Sequence, residues 1–209
     1  MIDTRNEFEQ LFNDFYLPLM IVVSAVVWGA VLFALLRYRA RRDRVPSRRS
    51  DAKIVESLYA AGLAVIVAVL VWHTFTTEDR VDRVSASPGL RVDVVAFKWQ
   101  WRVSYPGQGI PDVVGTATRA PELVVPTDTT IRFSLTSRDV IHALWIPELR
   151  FKRDAFPKRT TEFDLMFDEP GTFTGRCAEF CGLDHADMTL HVRAAPEAEY
   201  QSWLAERRR

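Results

Sequence analysis

Two long apolar runs stand near the start of the chain and predict its first elements. Residues 17–36 read LPLMIVVSAVVWGAVLFALL and residues 54–75 read IVESLYAAGLAVIVAVLVWHTF, with Glu56 as the only charged residue in either run. A helix of about twenty residues is about 30 Å long, which matches the hydrocarbon core of a bilayer. Both runs are apolar on every side, unlike the surface helices of soluble proteins. The pattern therefore predicts two transmembrane α-helices, over about residues 17–37 and 54–75.

The charges around these runs predict their orientation. Residues 37–53, RYRARRDRVPSRRSDAK, contain eight basic residues and two acidic ones, whereas the segment before residue 17 is acidic. Basic loops of this kind remain in the cytoplasm. We therefore expect a helical hairpin in the cell (plasma) membrane, with the Arg-rich loop cytoplasmic and both termini extracytoplasmic. The N-terminal segment lacks the basic start and cleavage site of a signal peptide, so the first run is interpreted as a retained anchor.

From residue 78 onward the pattern changes to short stretches rich in β-branched and aromatic residues, separated by turn signals such as Pro106-Gly107. Such a series predicts an antiparallel β-sandwich or barrel. Tyr200, Trp203 and Leu204 follow at helical spacing and predict a short C-terminal helix. We therefore divide the chain into a hairpin, 1–77, and an extracytoplasmic head, 78–209. The predicted strands cover residues 91–95, 98–105, 122–125, 130–135, 161–167, 172–176 and 189–192.

Composition narrows the possible functions. The 209 residues include 27 basic and 27 acidic side chains, so no surplus of Lys and Arg favours binding to nucleic acid. Two cysteines are too few for a disulfide scaffold. The chain contains no Cys-x-x-Cys-His motif for covalent haem attachment. We therefore expect that this chain binds no haem and that any cytochrome partner is a separate protein.

Residues 175–188, GRCAEFCGLDHADM, hold the chemistry-bearing motif of the head. Cys177, Cys181, His185 and Met188 follow one another at intervals of four, four and three. Thiolate, imidazole and thioether together are the ligands that copper prefers. Two competing interpretations are a structural disulfide and a structural zinc site, although methionine is a poor zinc ligand. Predicted strands on both sides place these residues on one loop at an end of the sandwich.

A further ligand is expected from another part of the head, because this loop supplies only one imidazole. His142, within SRDVIHALWIPEL, is the candidate. A histidine among apolar residues is more often a packing residue, but the single imidazole of the metal loop favours a ligand here. His73, at the end of the second apolar run, and His191, within a predicted strand, are interpreted as structural.

These features together resemble subunit II of cytochrome c oxidase, which contains a binuclear copper centre, CuA. Three parts match in order: the two N-terminal spans, the aromatic segment FKWQWRVSYP, and the paired segments DVIHALWIP and CAEFCGLDHADM. The resemblance implies a cupredoxin-like Greek-key sandwich for the head. It also implies that the chain accepts electrons from cytochrome c, or from a cytochrome c domain of a neighbouring complex. The electrons pass to haem in subunit I, where oxygen is reduced to water and protons are pumped.

The resemblance also implies a ligand set for two copper ions. Cys177 and Cys181 would bridge both coppers through their thiolates. Four further donors would complete the two ions: His142 and Met188 on one, and His185 and the backbone carbonyl of Glu179 on the other. The side chain of Glu179 would also reach a magnesium ion at the contact with subunit I, where Asp154 corresponds to a family aspartate.

Two further roles follow from the resemblance. Trp99 matches the surface tryptophan through which cytochrome c delivers electrons, and Glu56 matches a glutamate at the mouth of a proton channel into subunit I. The chain departs from the family pattern beside both residues. Ala96-Phe97-Lys98 replaces Gly-His-Gln, and residues 59–63 replace Trp-Thr-x-x-Pro, which indicates a divergent branch.

Four other classes of protein compete with the interpretation as a cytochrome c oxidase subunit. The CuA subunit of a nitric oxide reductase uses the same head to supply a different active site. A nitrous oxide reductase shares the copper motif, but two membrane spans and no large catalytic domain oppose it. A membrane-anchored copper store or chaperone needs exposed, exchangeable ligands, which a loop between two strands does not offer. Subunit II of a quinol oxidase lacks the copper ligands that this chain has.

Overall fold

The computed structural model describes residues 8–39, 51–116 and 119–209. Those residues form two compact units, Phe8–Asp79 and Arg80–Arg209, and each is considered by itself. Most of the Arg-rich loop, residues 40–50, and the first seven residues lie outside the described part of the chain. The orientation inferred from their charges therefore stays a prediction.

The first unit consists of two long apolar helices. Helix α1, Leu17–Arg37, follows a π-helical turn at Leu11–Tyr16, and helix α2 covers Lys53–Val81. Both are long and apolar enough to cross a membrane, and apolar side chains such as Leu36 are exposed along them. Large apolar surfaces of this kind require a lipid environment. Helix α2 continues six residues beyond the predicted span, through polar residues that the hydropathy pattern leaves out.

One ring stack and one hydrogen bond join the two helical segments of this unit. The ring of Phe15 stacks on His73 with 4.1 Å between the ring centroids. The next residue in each segment also takes part, because the hydroxyl oxygens of Tyr16 and Thr74 are 2.5 Å apart and share a hydrogen bond. His73 therefore has the packing role that the sequence indicates.

The second unit is a β-sandwich of two five-stranded sheets followed by one helix. One sheet has the order β3-β2-β1-β5-β8 and the other β4-β10-β9-β6-β7. Helix α3 covers Glu197–Arg207. The strands are β1 Leu90–Phe97, β2 Gln100–Ser104, β3 Val113–Val114, β4 Glu122–Pro126, β5 Ile131–Ser137, β6 His142–Ile146, β7 Phe151–Ala155, β8 Thr161–Leu165, β9 Gly171–Cys177 and β10 Thr189–Ala195.

All seven predicted strands are present, and three more, β3, β6 and β7, were missed. Strand β7 reads FKRDA, so its charged residues hide it from a search for apolar alternation. The expectation of purely antiparallel pairing is wrong at two places, because β1 pairs with β5 in parallel and β4 pairs with β10 in parallel. The chain crosses from one sheet to the other between β4 and β5, so these strands meet partners that are distant in sequence.

The core lies between the two sheets. In β1 every second residue is buried, as expected for a strand with one face on a core. Phe133 and Phe163 stack across adjacent strands with ring centroids 5.2 Å apart. The hydroxyl of Tyr105 donates to the carbonyl of Val124 at 3.0 Å and accepts from its amide at 2.8 Å. Burial raises the pKa of Tyr105 far above its usual value, so the hydroxyl remains neutral at this sheet junction.

A buried ion pair fixes the segment that precedes β1. Arg132 and Asp164 lie opposite each other on β5 and β8, and their side chains are only 6% and 2% exposed. Asp164 accepts the backbone N–H of Ser85 at 2.5 Å, and the guanidinium of Arg132 donates to the carbonyl of Ser85 at 2.5 Å. Charges buried in this way are tolerated because each is paired and hydrogen-bonded.

Replacing Arg132 with alanine should destabilise the head strongly, because Asp164 would then be buried without a counter-charge. The free energy of unfolding should fall by about 3–5 kcal/mol. Arg193→Ala is the control, since Arg193 pairs with Glu199 and Glu122 at the solvent-exposed surface. Loss of such a pair costs at most about 1 kcal/mol. Denaturant unfolding measures both, and equal losses would contradict a special role for the buried pair.

Candidate metal centre

Three neighbouring strands position the candidate ligands at one end of the sandwich. Strand β9 ends at Cys177, and β10 begins directly after Met188. Strand β6 begins at His142 and pairs with β9, with Leu144 opposite Cys177. The backbone N–H of Cys177 donates to the carbonyl of Met188 at 3.0 Å, which closes the base of the loop. In this arrangement, a single loop and one remote strand bring the candidate donors together.

A glycine allows this loop to turn beneath an aromatic ring. Gly182 has a φ of +124°, a backbone conformation that side chains with a Cβ rarely adopt. A Cβ at this position would also lie 3.2 Å from the indole nitrogen of Trp99. The loop residue after Cys181 is therefore glycine both for its backbone angle and for the close approach of the ring.

The donor atoms converge around the two thiols. The sulfurs of Cys177 and Cys181 are 3.9 Å apart and do not form a disulfide. Cys177 Sγ lies 3.7 Å from His142 Nδ1 and 3.3 Å from the carbonyl oxygen of Glu179. Cys181 Sγ lies 3.5 Å from His185 Nδ1 and 3.9 Å from Met188 Sδ. His142, Met188 and both cysteines are buried.

The two thiols differ in acidity. Burial opposes ionisation of Cys177, but hydrogen bonds from His142 and from the backbone N–H of Ala143 outweigh it and lower its pKa to about 6. Burial, together with the charge of the neighbouring Cys177 thiolate, raises the pKa of Cys181 to about 12. One thiolate is therefore present at neutral pH, and the second requires a cation to balance its charge. A soft metal ion meets that requirement.

His142 is aimed at the sulfurs by a carboxylate behind it. Its Nε2 lies 2.8 Å from Asp139 Oδ1, which leaves Nδ1 directed toward Cys177. Burial alone would lower the pKa of His142, but the hydrogen bonds with Cys177 and Asp139 raise it. Burial likewise opposes ionisation of Asp139, yet hydrogen bonds from His142 and two backbone N–H groups lower its pKa. Asp139 was missed at the sequence level, where only its position three residues before His142 could have indicated it.

Trp99 lies in the turn between β1 and β2, beside the metal loop. Its indole N–H donates to the carbonyl of Cys181 at 3.3 Å. The strand predicted over residues 98–105 begins only at Gln100, so Trp99 does not share a strand face with Trp101. Trp101 is wholly buried in the core, 6.4 Å from the ring of His142, whereas Trp99 is half-buried. The two tryptophans therefore have different environments, although they are only two positions apart in the sequence.

Three predicted carboxylates lie outside this donor cluster. The side chain of Glu179 turns to the surface, where Lys152 Nζ lies 3.6 Å from Glu179 and 3.5 Å from Asp154. Glu56 belongs to the helical unit, in the first turn of α2, and its carboxylate accepts the backbone N–H of Ala52 at 3.1 Å. Glu56 thus makes a helix-capping contact with the backbone.

The donor set fits copper. Thiolate sulfurs, imidazole nitrogens and a thioether are soft or borderline ligands, and they surround the two sulfurs within hydrogen-bonding or van der Waals distance. Within the described residues, His142, Cys177 and Cys181 form the one group of three such side chains close enough to share a metal ion. Four of these donor residues, His142, Cys177, Cys181 and Met188, are buried, which favours electron transfer over chemistry on a bound substrate.

A sandwich head bearing a soft-metal loop, preceded by two apolar helices, defines a membrane-anchored protein with a cupredoxin-like extracytoplasmic domain. Comparison with known proteins agrees. The family model for the periplasmic domain of cytochrome c oxidase subunit II matches residues 116–195. A probable cytochrome c oxidase subunit 2 of Streptomyces avermitilis is 31% identical over 89% of this chain and 70% of its own length. The chain belongs to the cytochrome c oxidase subunit 2 family.

Other relatives and solved structures agree. A probable subunit 2 of Rickettsia bellii is 25% identical over 94% of this chain and 78% of its own length. The periplasmic domain of oxidase subunit II from Bradyrhizobium japonicum superposes with a TM-score of 0.55 and 31% identity, over 59% of this chain and 96% of that domain. A mixed disulfide between a thioredoxin-like protein and oxidase subunit II gives a TM-score of 0.53 and 29% identity, over 60% of this chain and 94% of that one.

The metal-free protein should show two separate thiolate ionisations. Absorbance at the thiolate band should rise once with a midpoint near pH 6, from Cys177, and again only at strongly alkaline pH, from Cys181. Cys177→Ser should remove the step near pH 6, whereas Cys181→Ser should retain it. A single step at the ordinary thiol pKa, about 8.5, would contradict the unequal environments of the two sulfurs.

Proposed function

We propose that this chain is the electron-transfer subunit of a cytochrome c oxidase and holds a binuclear CuA centre. One observation carries the proposal: each sulfur has beside it one of the two donors that the family resemblance would assign to each copper ion. Cys177 lies next to His142 and the carbonyl of Glu179, and Cys181 lies next to Met188 and His185. This arrangement of donors around the two sulfurs is the one expected if each thiolate would be shared by both metal ions. The relatives named as oxidase subunits support the same function.

When bound, the copper pair would supply a reversible one-electron carrier. The protein's contribution is to hold the ligands still, because electron transfer is fast when ligands hardly move between the two oxidation states. The hydrogen bond from the Cys177 N–H to the Met188 carbonyl and the pairing of β6 with β9 restrain the loop from both sides. Burial of His142 and Met188 keeps water out of the centre.

Trp99 is the proposed point at which electrons arrive from cytochrome c. Its half-buried ring reaches the surface, and its N–H donates to the backbone carbonyl of Cys181, which is itself a proposed thiolate ligand. Electrons would leave on the other side of the centre, through His185, toward haem in subunit I. Oxygen would be reduced to water there, coupled to proton pumping.

The remaining assignments concern the complex and the membrane. Glu179 and Asp154 would supply carboxylate oxygens to a magnesium ion at the contact with subunit I, which requires Lys152 to release both. Glu56 would stand at the mouth of a proton channel, on the cytoplasmic side that the Arg-rich loop indicates. Other oxidase subunits and the lipid bilayer would complete the surroundings of the hairpin.

Loading with copper should give two copper ions per chain. Substitution of each ligand should affect copper binding according to the role of that ligand. Cys177→Ser and Cys181→Ser should each lose the shared two-copper centre, because each thiolate bridges both ions. Met188→Leu should retain both coppers, since a thioether is a weak ligand, and should shift only the reduction potential. Metal analysis and potentiometry measure these outcomes. One zinc per chain, or loss of both coppers in Met188→Leu, would contradict the ligand roles.

Trp99→Phe should slow electron transfer from cytochrome c by orders of magnitude while copper remains bound. The change keeps an aromatic ring, so it should cost only about 1 kcal/mol of stability. Trp203→Phe is the matched control, because Trp203 is also half-buried and packs against aromatic rings, 5.4 Å from Tyr105, away from the metal loop. Stopped-flow oxidation of cytochrome c by the purified oxidase measures both variants. Equal rates in the two would count against Trp99 as the receiving side chain.

A further inference from the structure

The carboxylate of Asp139 is shared between two parts of the candidate site. Oδ1 accepts the backbone N–H of Val140 at 2.7 Å and lies 2.8 Å from His142 Nε2. Oδ2 accepts the backbone N–H of Lys98 at 2.7 Å. Both oxygens are therefore engaged by donors of the protein, although Asp139 lies at the surface with its side chain 32% exposed.

The segment that carries Asp139 is itself fixed. The hydroxyl of Ser137 accepts the backbone N–H of Asp139 at 3.2 Å and donates to the carbonyl of Val140. The backbone N–H of Arg138 donates to the carbonyl of Ala96 at 2.9 Å, at the end of β1. The carboxylate is thus held in one place by the strands on either side of it.

These contacts close a ring through the whole site. Lys98 precedes Trp99, whose indole donates to the carbonyl of Cys181. Cys181 lies beside Cys177, Cys177 lies beside His142, and His142 returns to Asp139. Asp139 is the member that connects the tryptophan turn to a metal-ligand histidine, since its two oxygens face opposite parts of the ring.

We propose that Asp139 is a positioning residue that holds the Trp99 turn and the His142 ring in a fixed relation, so that electrons arriving at Trp99 reach the metal along a constant path. The inference rests on the proposed function. A carboxylate that accepts the Nε2–H of a ligating histidine also raises the basicity of that ligand, which favours the oxidised metal. Removing the carboxylate should therefore raise the reduction potential of the centre as well as loosen the turn.

Two substitutions test these contacts. Asp139→Ala removes both contacts. Asp139→Asn keeps an oxygen that can accept from His142. Its NH₂ group, however, then faces the N–H of Lys98, and two donors cannot form a hydrogen bond with each other. Asp184→Asn is the control, because Asp184 is an exposed acid on the same metal loop and its loss changes the surface charge by the same amount.

The first measurement uses the metal-free full chain in detergent. Hydrogen exchange resolved to single amides should show the Lys98 N–H exchanging about tenfold faster or more in Asp139→Asn and Asp139→Ala, because a hydrogen bond to a charged acceptor is lost. Asp184→Asn should exchange like the parent protein. Unchanged protection of the Lys98 amide in both Asp139 variants would overturn the proposal, whether or not the parent protein binds copper.

The second measurement uses the copper-loaded oxidase. Both Asp139 variants should have a higher reduction potential, and transfer from saturating cytochrome c should fall by about tenfold to a hundredfold, since misplacement of about 1 Å has effects of that size. If the variants change only the cytochrome c concentration needed for half-maximal rate, as a surface docking acid would, the positioning role is wrong. If the parent protein holds no copper, the proposed function is wrong. The hydrogen-exchange result then still tests whether Asp139 holds the turn that contains Lys98 and Trp99.

Discussion

The pairing of β6 with β9 is the constraint on which the metal end of this molecule depends. It sets Leu144 opposite Cys177, and His142, two residues earlier, is thereby carried to the side of the metal loop. The loop cannot supply a second imidazole by itself, because between Cys177 and Met188 it contains only His185. Without this one strand pairing, the sulfurs would have no buried nitrogen donor beside them.

The unequal pKa values of the two thiols favour the binding of a cation by the head. His142 lowers the pKa of Cys177 against the effect of burial, and the resulting charge raises the pKa of Cys181. The second proton is therefore lost most easily when a metal takes its place. Binding of the metal and ionisation of Cys181 are coupled for that reason, and the loop geometry needs little change to accept it.

The sequence predicted most of the site because its donors are chemically distinctive. Cys177, Cys181, His185 and Met188 form a local motif, and a lone imidazole in that motif pointed to a remote histidine. The same reasoning failed where residue type carries no such information. Asp139 is one of many acids in the chain, and its role depends on a contact with Lys98 that is 41 positions away.

Strand prediction succeeded and failed for similar reasons. Alternating apolar residues identified seven strands, but FKRDA of β7 carries charges on an edge strand, where side chains on both faces reach solvent or polar partners. Parallel pairing of β1 with β5 was missed because periodicity within a strand says nothing about its neighbour. Trp99 was placed on a strand because aromatic alternation continues through the turn that contains it.

Electron spin resonance of the oxidised, copper-loaded head tests the central claim most directly. If both thiolates bridge both ions, the unpaired electron is shared, and the hyperfine pattern should be that of one electron spread equally over two copper nuclei. The donors around Cys177 and Cys181 are arranged for that sharing. A pattern from a single copper nucleus would show that the sulfurs do not bridge a pair and would contradict the account.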